Sequence, residues 1–198
     1  MESTNVVTEK NQNHAVSNGV QLSVPFYSQY RDVVDPVWQS RACGGVCLKM
    51  ALDFLAQKCN ATIPAIPELI EEAVTHKAYS TGSGWVHRGM VFLAHNHGIP
   101  AYPEEFRSME GAYAKGLVEY GYNKIIKTVR SERPVIVSIE KGFEDGGSFH
   151  QVLIVGEKDD GEVLMYHDPE AKDESGAFRE IGREKFCSHW RHFAIFVG

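Results

Sequence analysis

The chain of 198 residues is 43% hydrophobic and 23% charged, which fits one globular domain with a sizeable core. Its formal net charge of −6 argues against nucleic acid or anionic lipid as the main partner, because both select basic surfaces. No apolar run reaches the roughly 20 residues of a membrane span, so no membrane partner is expected either.

The N-terminal stretch MESTNVVTEKNQNHAVSNG is polar and aperiodic. Residues 1–20 therefore read as a disordered arm, and residues 21–198 as one domain with no internal repeat or linker. The arm has neither the basic start nor the apolar stretch of a secretory signal. Four cysteines at irregular spacing do not form a disulfide framework. Together these features point to a reducing cytoplasm.

After the arm, LSVPFYSQYRD begins as a short extended segment. From Cys43 to Gln57 the residues Val46, Cys47, Met50, Ala51, Phe54 and Leu55 recur at helical spacing, and Leu48 and Leu52 widen the stripe. The pattern predicts a largely buried helix. A second helix is expected in IPELIEEAVTHKA, with Pro67 near its first turn and acidic residues after it. A third, WVHRGMVFLAHNHG, stops at Gly98, and Pro103 closes the extended piece beyond. Between Ser108 and Arg130 the pattern is helical but broken at Gly111, Gly116 and Gly121. RPVIVSIE is a β-branched run and predicts a buried strand. HQVLIVGE and GEVLMYHDP predict two more, joined by the hairpin signal KDDG, and HFAIFVG supplies a last one. Helices first and an antiparallel sheet afterwards make an α+β arrangement.

Cys43 stands where helix N–H groups and the helix dipole stabilise a thiolate, the nucleophilic form of cysteine. Gly44 and Gly45 would let a substrate backbone come close to the sulfur. A free cysteine is also often a small buried hydrophobe, so Cys43 by itself leaves both readings open. A nucleophile needs a base, and the base needs an orienting partner. His150 opens one strand of the KDDG hairpin and Asp168 ends the other, at comparable distances from the turn. That register would set imidazole and carboxylate side by side.

VPFYSQ, ACGGVCLKMAL, RPVIVSI, HQVLIVG and HDP occur in the order found in C39-like cysteine peptidases, and over residues 22–198 the chain resembles that family. The resemblance implies a papain-like fold, N-terminal helices packed on a C-terminal antiparallel sheet. It implies Cys43 as nucleophile, His150 as base and Asp168 as orienter. Gln29, in the segment similar to the family's Pro-x-x-x-Gln, is implied as the oxyanion donor, with the nearer Gln39 as its competitor. The implied activity is hydrolysis of a peptide or isopeptide bond in a peptide or protein substrate, through an acyl-enzyme. Acyl transfer by the same triad and a catalytically silent binding module are the alternatives. No metal or organic cofactor is implied. Ala42 and Gly45 depart from the residues common in the family, and neither membrane spans nor a P-loop accompany the domain.

Weaker signals receive structural readings. His95 and His97 in HNH, and Cys187, His189 and His192, read as surface or core residues rather than metal ligands. Glu71 and Glu72 read as a solvated helix face. Cys47 reads as core, and the sequon Asn60-Ala61-Thr62 as chance.

Overall fold

In a computed structural model that describes residues 15–16, 19–59 and 61–198, the chain begins with two short strands, β1 (Ala15–Val16) and β2 (Gly19–Gln21). They pair with each other, and β2 also pairs with a later strand. This corrects the arm assignment at Ala15, Val16, Gly19 and Val20. The rest of the expected arm lies outside the described residues, as does Asn60 of the sequon.

A single turn, α1 (Pro36–Gln39), is capped by the Asp35 side chain, which accepts from the Val37 N–H. It leads into α2 (Cys43–Cys59). Residues 44–48, 50–52 and 54–56 of α2 are all buried, so apolar side chains surround the helix on nearly every side. Its one polar edge carries the Lys49–Asp53 ion pair. Helix α3 (Ile66–Thr75) carries Pro67 in its first turn, as expected, with Glu68 accepting from the Ala65 N–H. A ribbon of β3 (Tyr79–Ser80) and β4 (Gly84–Trp85) follows, then α4 (His87–Asn96). Trp85 thus belongs to the ribbon, not to the helix the sequence pattern suggested. Gly98 sits at φ +74, the left-handed stop expected of it.

Strand β5 (Ala101–Glu105) contains Pro103 rather than ending before it. Among the described residues it pairs only with the last strand, on an outer edge, where a missing N–H costs no ladder bond. Helix α5 (Gly111–Arg130) runs without a break. Gly121 is there for close approach, since a Cβ would come within 2.6 Å of Phe106 and 2.7 Å of Trp190. Strands β6 (Val135–Glu140), β7 (Phe149–Lys158) and β8 (Val163–His167) appear where the β-branched runs placed them. Sequence pattern missed β9 (Arg179–Gly182) and α6 (Arg183–His189), which lie between β8 and β10 (Trp190–Val197).

The main sheet is antiparallel throughout and runs β1-β2-β7-β6-β10-β5, with β8 and β9 continuing from β7. The architecture is α+β, with α2, α3 and α4 gathered between β2 and β5. Helix α2 packs on β7, and its Cys47 thiol points at the Gln151 carbonyl, 3.5 Å away. Cys47 is therefore core, as its spacing suggested. Strand β7 is the spine, paired along its length and buried from His150 to Glu157.

One charge is embedded in that spine. Glu157 is 1% exposed and is held by Arg130 of α5, with Nε 2.9 Å from Oε1. Arg130→Ala leaves the carboxylate buried without its partner. Because Arg130 is itself partly exposed, the expected loss is about 1–3 kcal/mol. Urea denaturation measures it, and a change under about 0.5 kcal/mol would show that solvent replaces the guanidinium.

Candidate active site

Cys43 is the first residue of α2, preceded by the fully buried Ala42 and followed by the glycine pair. The glycines do not leave open space for a substrate. A Cβ on Gly44 would lie 2.5 Å from the Trp85 ring and 2.2 Å from Gln151 Oε1, and one on Gly45 would lie 2.5 Å from the same indole. Trp85 donates its Nε1–H to the Arg41 carbonyl at 2.7 Å. The indole therefore lies across the start of α2 and fixes it. Gly44 and Gly45 are packing requirements, which corrects the expectation drawn from their small size.

His150, 4% exposed, places Nε2 2.8 Å from Asp168 Oδ1. The two share a sheet face, but not by the symmetric register expected of the hairpin. Leu153 stands opposite His167, and the register shifts between Ile154 and Gly156. Asp168 lies one residue past the end of β8 and reaches its partner diagonally. The extra residue in β7 and the length of the carboxylate close the gap.

Several bonds hold Asp168 in place. Oδ1 also accepts from the Glu170 N–H at 3.0 Å, and Oδ2 accepts from Arg179 Nη1 at 2.9 Å. Its own N–H donates to the Gly176 carbonyl at 2.8 Å. Burial alone would raise the Asp168 pKa, but the His150 bond and charge, the Glu170 N–H and the Arg179 charge bring it below the usual 3.8. Burial likewise opposes a charge on His150. The bond to Asp168 and the Cys43 sulfur against the same ring overcome it and push the imidazole up to about 10. Arg179 was invisible to sequence reasoning because its strand carried no apolar alternation.

Gln29 is 2% exposed, and its N–H donates to the Pro169 carbonyl at 2.7 Å, next to Asp168. Ser28 Oγ binds the Ala171 carbonyl, so the VPFYSQ segment is tied to the 168–171 turn at two points. Gln29 Oε1 is buried without a partner, and among the described residues its Nε2 has no acceptor. Gln39 differs: Nε2 donates to the carbonyls of Tyr30 at 3.2 Å and Val33 at 3.0 Å. Gln151 is a further residue that sequence reasoning passed over. It is fully buried under Gly44, and both amide atoms lack partners.

A cleft of about 420 Å³ opens beside the site, walled by Lys141, Glu144, Ser148, Asp168, Glu170 and Arg179. The other histidines have separate duties. His95 bonds the Ala101 backbone, and His97 meets Glu72, which is therefore not merely solvated. His167 is fixed between the Val24 carbonyl and the Phe178 N–H, and burial, against the pull of the carbonyl, lowers its pKa to about 4. Cys187 and His192 join no ligand cluster among the described residues, whereas His189 stands with Glu140 and Asp145. A thiol at a helix start, an imidazole and a buried carboxylate can together perform nucleophilic and general acid–base chemistry.

A family model described as the Peptidase_C39 like family matches residues 21–194. No curated protein matches the chain. Among solved structures, a double glycine motif protease from an AMS/PCAT transporter, in complex with the leader peptide, superposes with a TM-score of 0.54. That match is 16% identical and covers 89% of this chain and 92% of the other. The peptidase domain of Streptococcus ComA, a bi-functional ABC transporter involved in a quorum sensing pathway, gives 0.53 at 21% identity, over 85% and 96%. UfSP from C. elegans gives 0.55 at 16% identity, over 93% of this chain and 34% of its own. At these identities the likenesses establish the papain-like fold alone.

The pKa directions set a pH dependence. Native His150 keeps its proton to about 10, against 6.5 when unfolded, so its contribution is complete below 6.5 and is lost as pH rises toward 10. Asp168 is depressed, so its contribution is present above 3.8 and is lost as pH falls through the lower native value. Urea denaturation from pH 6 to 10 should show declining stability in the parent and a flatter profile in His150→Gln. Parallel profiles would refute the pair's role.

Proposed function

Because the chain belongs to the Peptidase_C39 like family, we propose that it is a cysteine hydrolase that cleaves a peptide or isopeptide bond. The observation carrying this reading is the His150–Asp168 contact of 2.8 Å, with Cys43 against the same imidazole. His150 already holds the proton given up by the thiol, as an imidazolium beside Asp168, and the Cys43 thiolate attacks the carbonyl carbon. The resulting oxyanion is received by the Cys43 N–H at the open end of α2 and by the Gln29 amide. His150 returns the proton to the leaving amine, which departs and leaves an acyl-enzyme. Water, deprotonated by the same imidazole, then releases the acid. Asp168 holds the ring and stabilises its positive charge throughout.

A peptide substrate is supported by the double glycine motif protease of the same fold, which binds a leader peptide. The choice of Gln29 over Gln39 is supported by their partners. The Gln39 amide hydrogens are already taken by backbone carbonyls, whereas Gln29 Nε2 has no acceptor among the described residues. Its backbone tie to Pro169 makes the glutamine part of the same rigid unit as Asp168.

Cys43→Ala is expected to abolish turnover of a peptide library while costing about 1 kcal/mol of stability. A thiol-reactive probe should label Cys43 in preference to Cys47, Cys59 and Cys187. Retained turnover in Cys43→Ala would end the nucleophile assignment. Gln29→Ala should lower kcat by about 10²–10³ with little change in KM, and Gln39→Ala should be mild. The reverse ranking would transfer the oxyanion role to Gln39.

A further inference from the structure

His189, at the end of α6, faces two carboxylates from another part of the chain. Its Nδ1 is 3.0 Å from Glu140 Oε2, at the end of β6, and 3.8 Å from Asp145 Oδ1, in the connection to β7. One ligand atom from each residue lies within 4.8 Å of the other two. Ligands about 2.1 Å from a tetrahedral ion lie about 3.4 Å apart, and the two distances bracket that value.

The charges around the cluster leave it short of cations. Among the described residues, neither Glu140 nor Asp145 is paired with a lysine or arginine. Lys141, the nearest in sequence, is turned toward Glu170 at 2.5 Å, and the Arg191 guanidinium sits over the Phe149 ring, 5.2 Å from its centroid. Two carboxylates are thus left to one imidazole. Asp145 is fully exposed, so an ion could enter from solvent and keep water on its remaining positions.

We propose that Glu140, Asp145 and His189 form a binding site for a divalent first-row transition ion such as Zn²⁺. One imidazole nitrogen with two carboxylate oxygens suits that class better than Mg²⁺ or Ca²⁺, which prefer oxygen alone. On binding, the His189–Glu140 hydrogen bond is exchanged for two metal bonds: an imidazolium gives its Nδ1 proton to solvent and keeps the one on Nε2, whereas a neutral Nδ1–H tautomer moves its proton to Nε2 through solvent. The ion joins α6 to both ends of the 140–145 segment. That segment carries Lys141 and Glu144 and runs on to Ser148, which together form one wall of the cleft beside Asp168. Ion binding therefore stiffens that wall without touching Cys43.

Zn²⁺ is titrated calorimetrically into the full chain carrying Cys43→Ala, so that the thiol and imidazole of the cleft offer no competing pair. The same titration is run on this chain with Glu140→Gln, Asp145→Asn or His189→Asn added. Loss of an outer partner alone costs metal sites 10–100-fold, so each ligand change should weaken binding by at least about tenfold. Asp145→Asn is decisive for folding concerns, because its side chain is wholly exposed. Amide exchange in 141–148 should also slow when Zn²⁺ is added, and Mg²⁺ should bind more weakly. Absence of one-to-one binding, or equal affinity in Asp145→Asn, would overturn the site whatever the hydrolase assays show.

Discussion

A carboxylate taken out of water must be surrounded by donors, and at Asp168 that requirement organises the whole neighbourhood. His150 of β7, Arg179 of β9 and the Glu170 N–H all turn toward it. Its backbone and that of Pro169 bind in turn to Gly176 and Gln29. Two strands, a turn and the VPFYSQ segment are therefore registered on Asp168 and the residue after it. The imidazole can stay charged in a buried place because this anion is fixed beside it.

The other half of the arrangement is apolar. Cys43 keeps its position because α2 is sunk in the core and Trp85 lies across its first turn. Bringing a thiol on such a helix to an imidazole on the sheet needs each side to be rigid independently. Packing supplies that on the helix side and hydrogen bonding on the sheet side. The contrast explains why a glycine pair is needed under Trp85 and a guanidinium beside Asp168.

Much of this could be read from the chain, and what could not has a physical reason. The buried helix at Cys43 and the strands around His150 were visible because apolar period reports which face meets the core. β9 and α6 were missed because their exposed residues leave no such period, though Arg179 lies among them. The meeting of His150 and Asp168 was legible as a pairing, yet its diagonal path depends on a bulge within VLIVG that no turn residue signals. Sequence distance is a poor guide at Gln39, only four residues before Cys43, whose amide donates to the nearby carbonyls of Tyr30 and Val33. Gly121 shows the same limit. A glycine in a helical pattern reads as a break, whereas here it admits two aromatic rings.

The order of the parts along the chain has a consequence for synthesis. Cys43 belongs to a helix built from local contacts, whereas its imidazole and carboxylate arrive more than a hundred residues later on strands that need long-range pairing. Strand β10, the last element, fits between β5 and β6 rather than at a margin. A ribosome-bound chain with α2 already formed therefore holds a bare thiol with neither imidazole nor anion beside it. Loop closure over such separations is slow relative to helix formation. Cys43, His150 and Asp168 come together only after residue 168 has been made, and a chain that stalls or is truncated before it presents Cys43 without either partner.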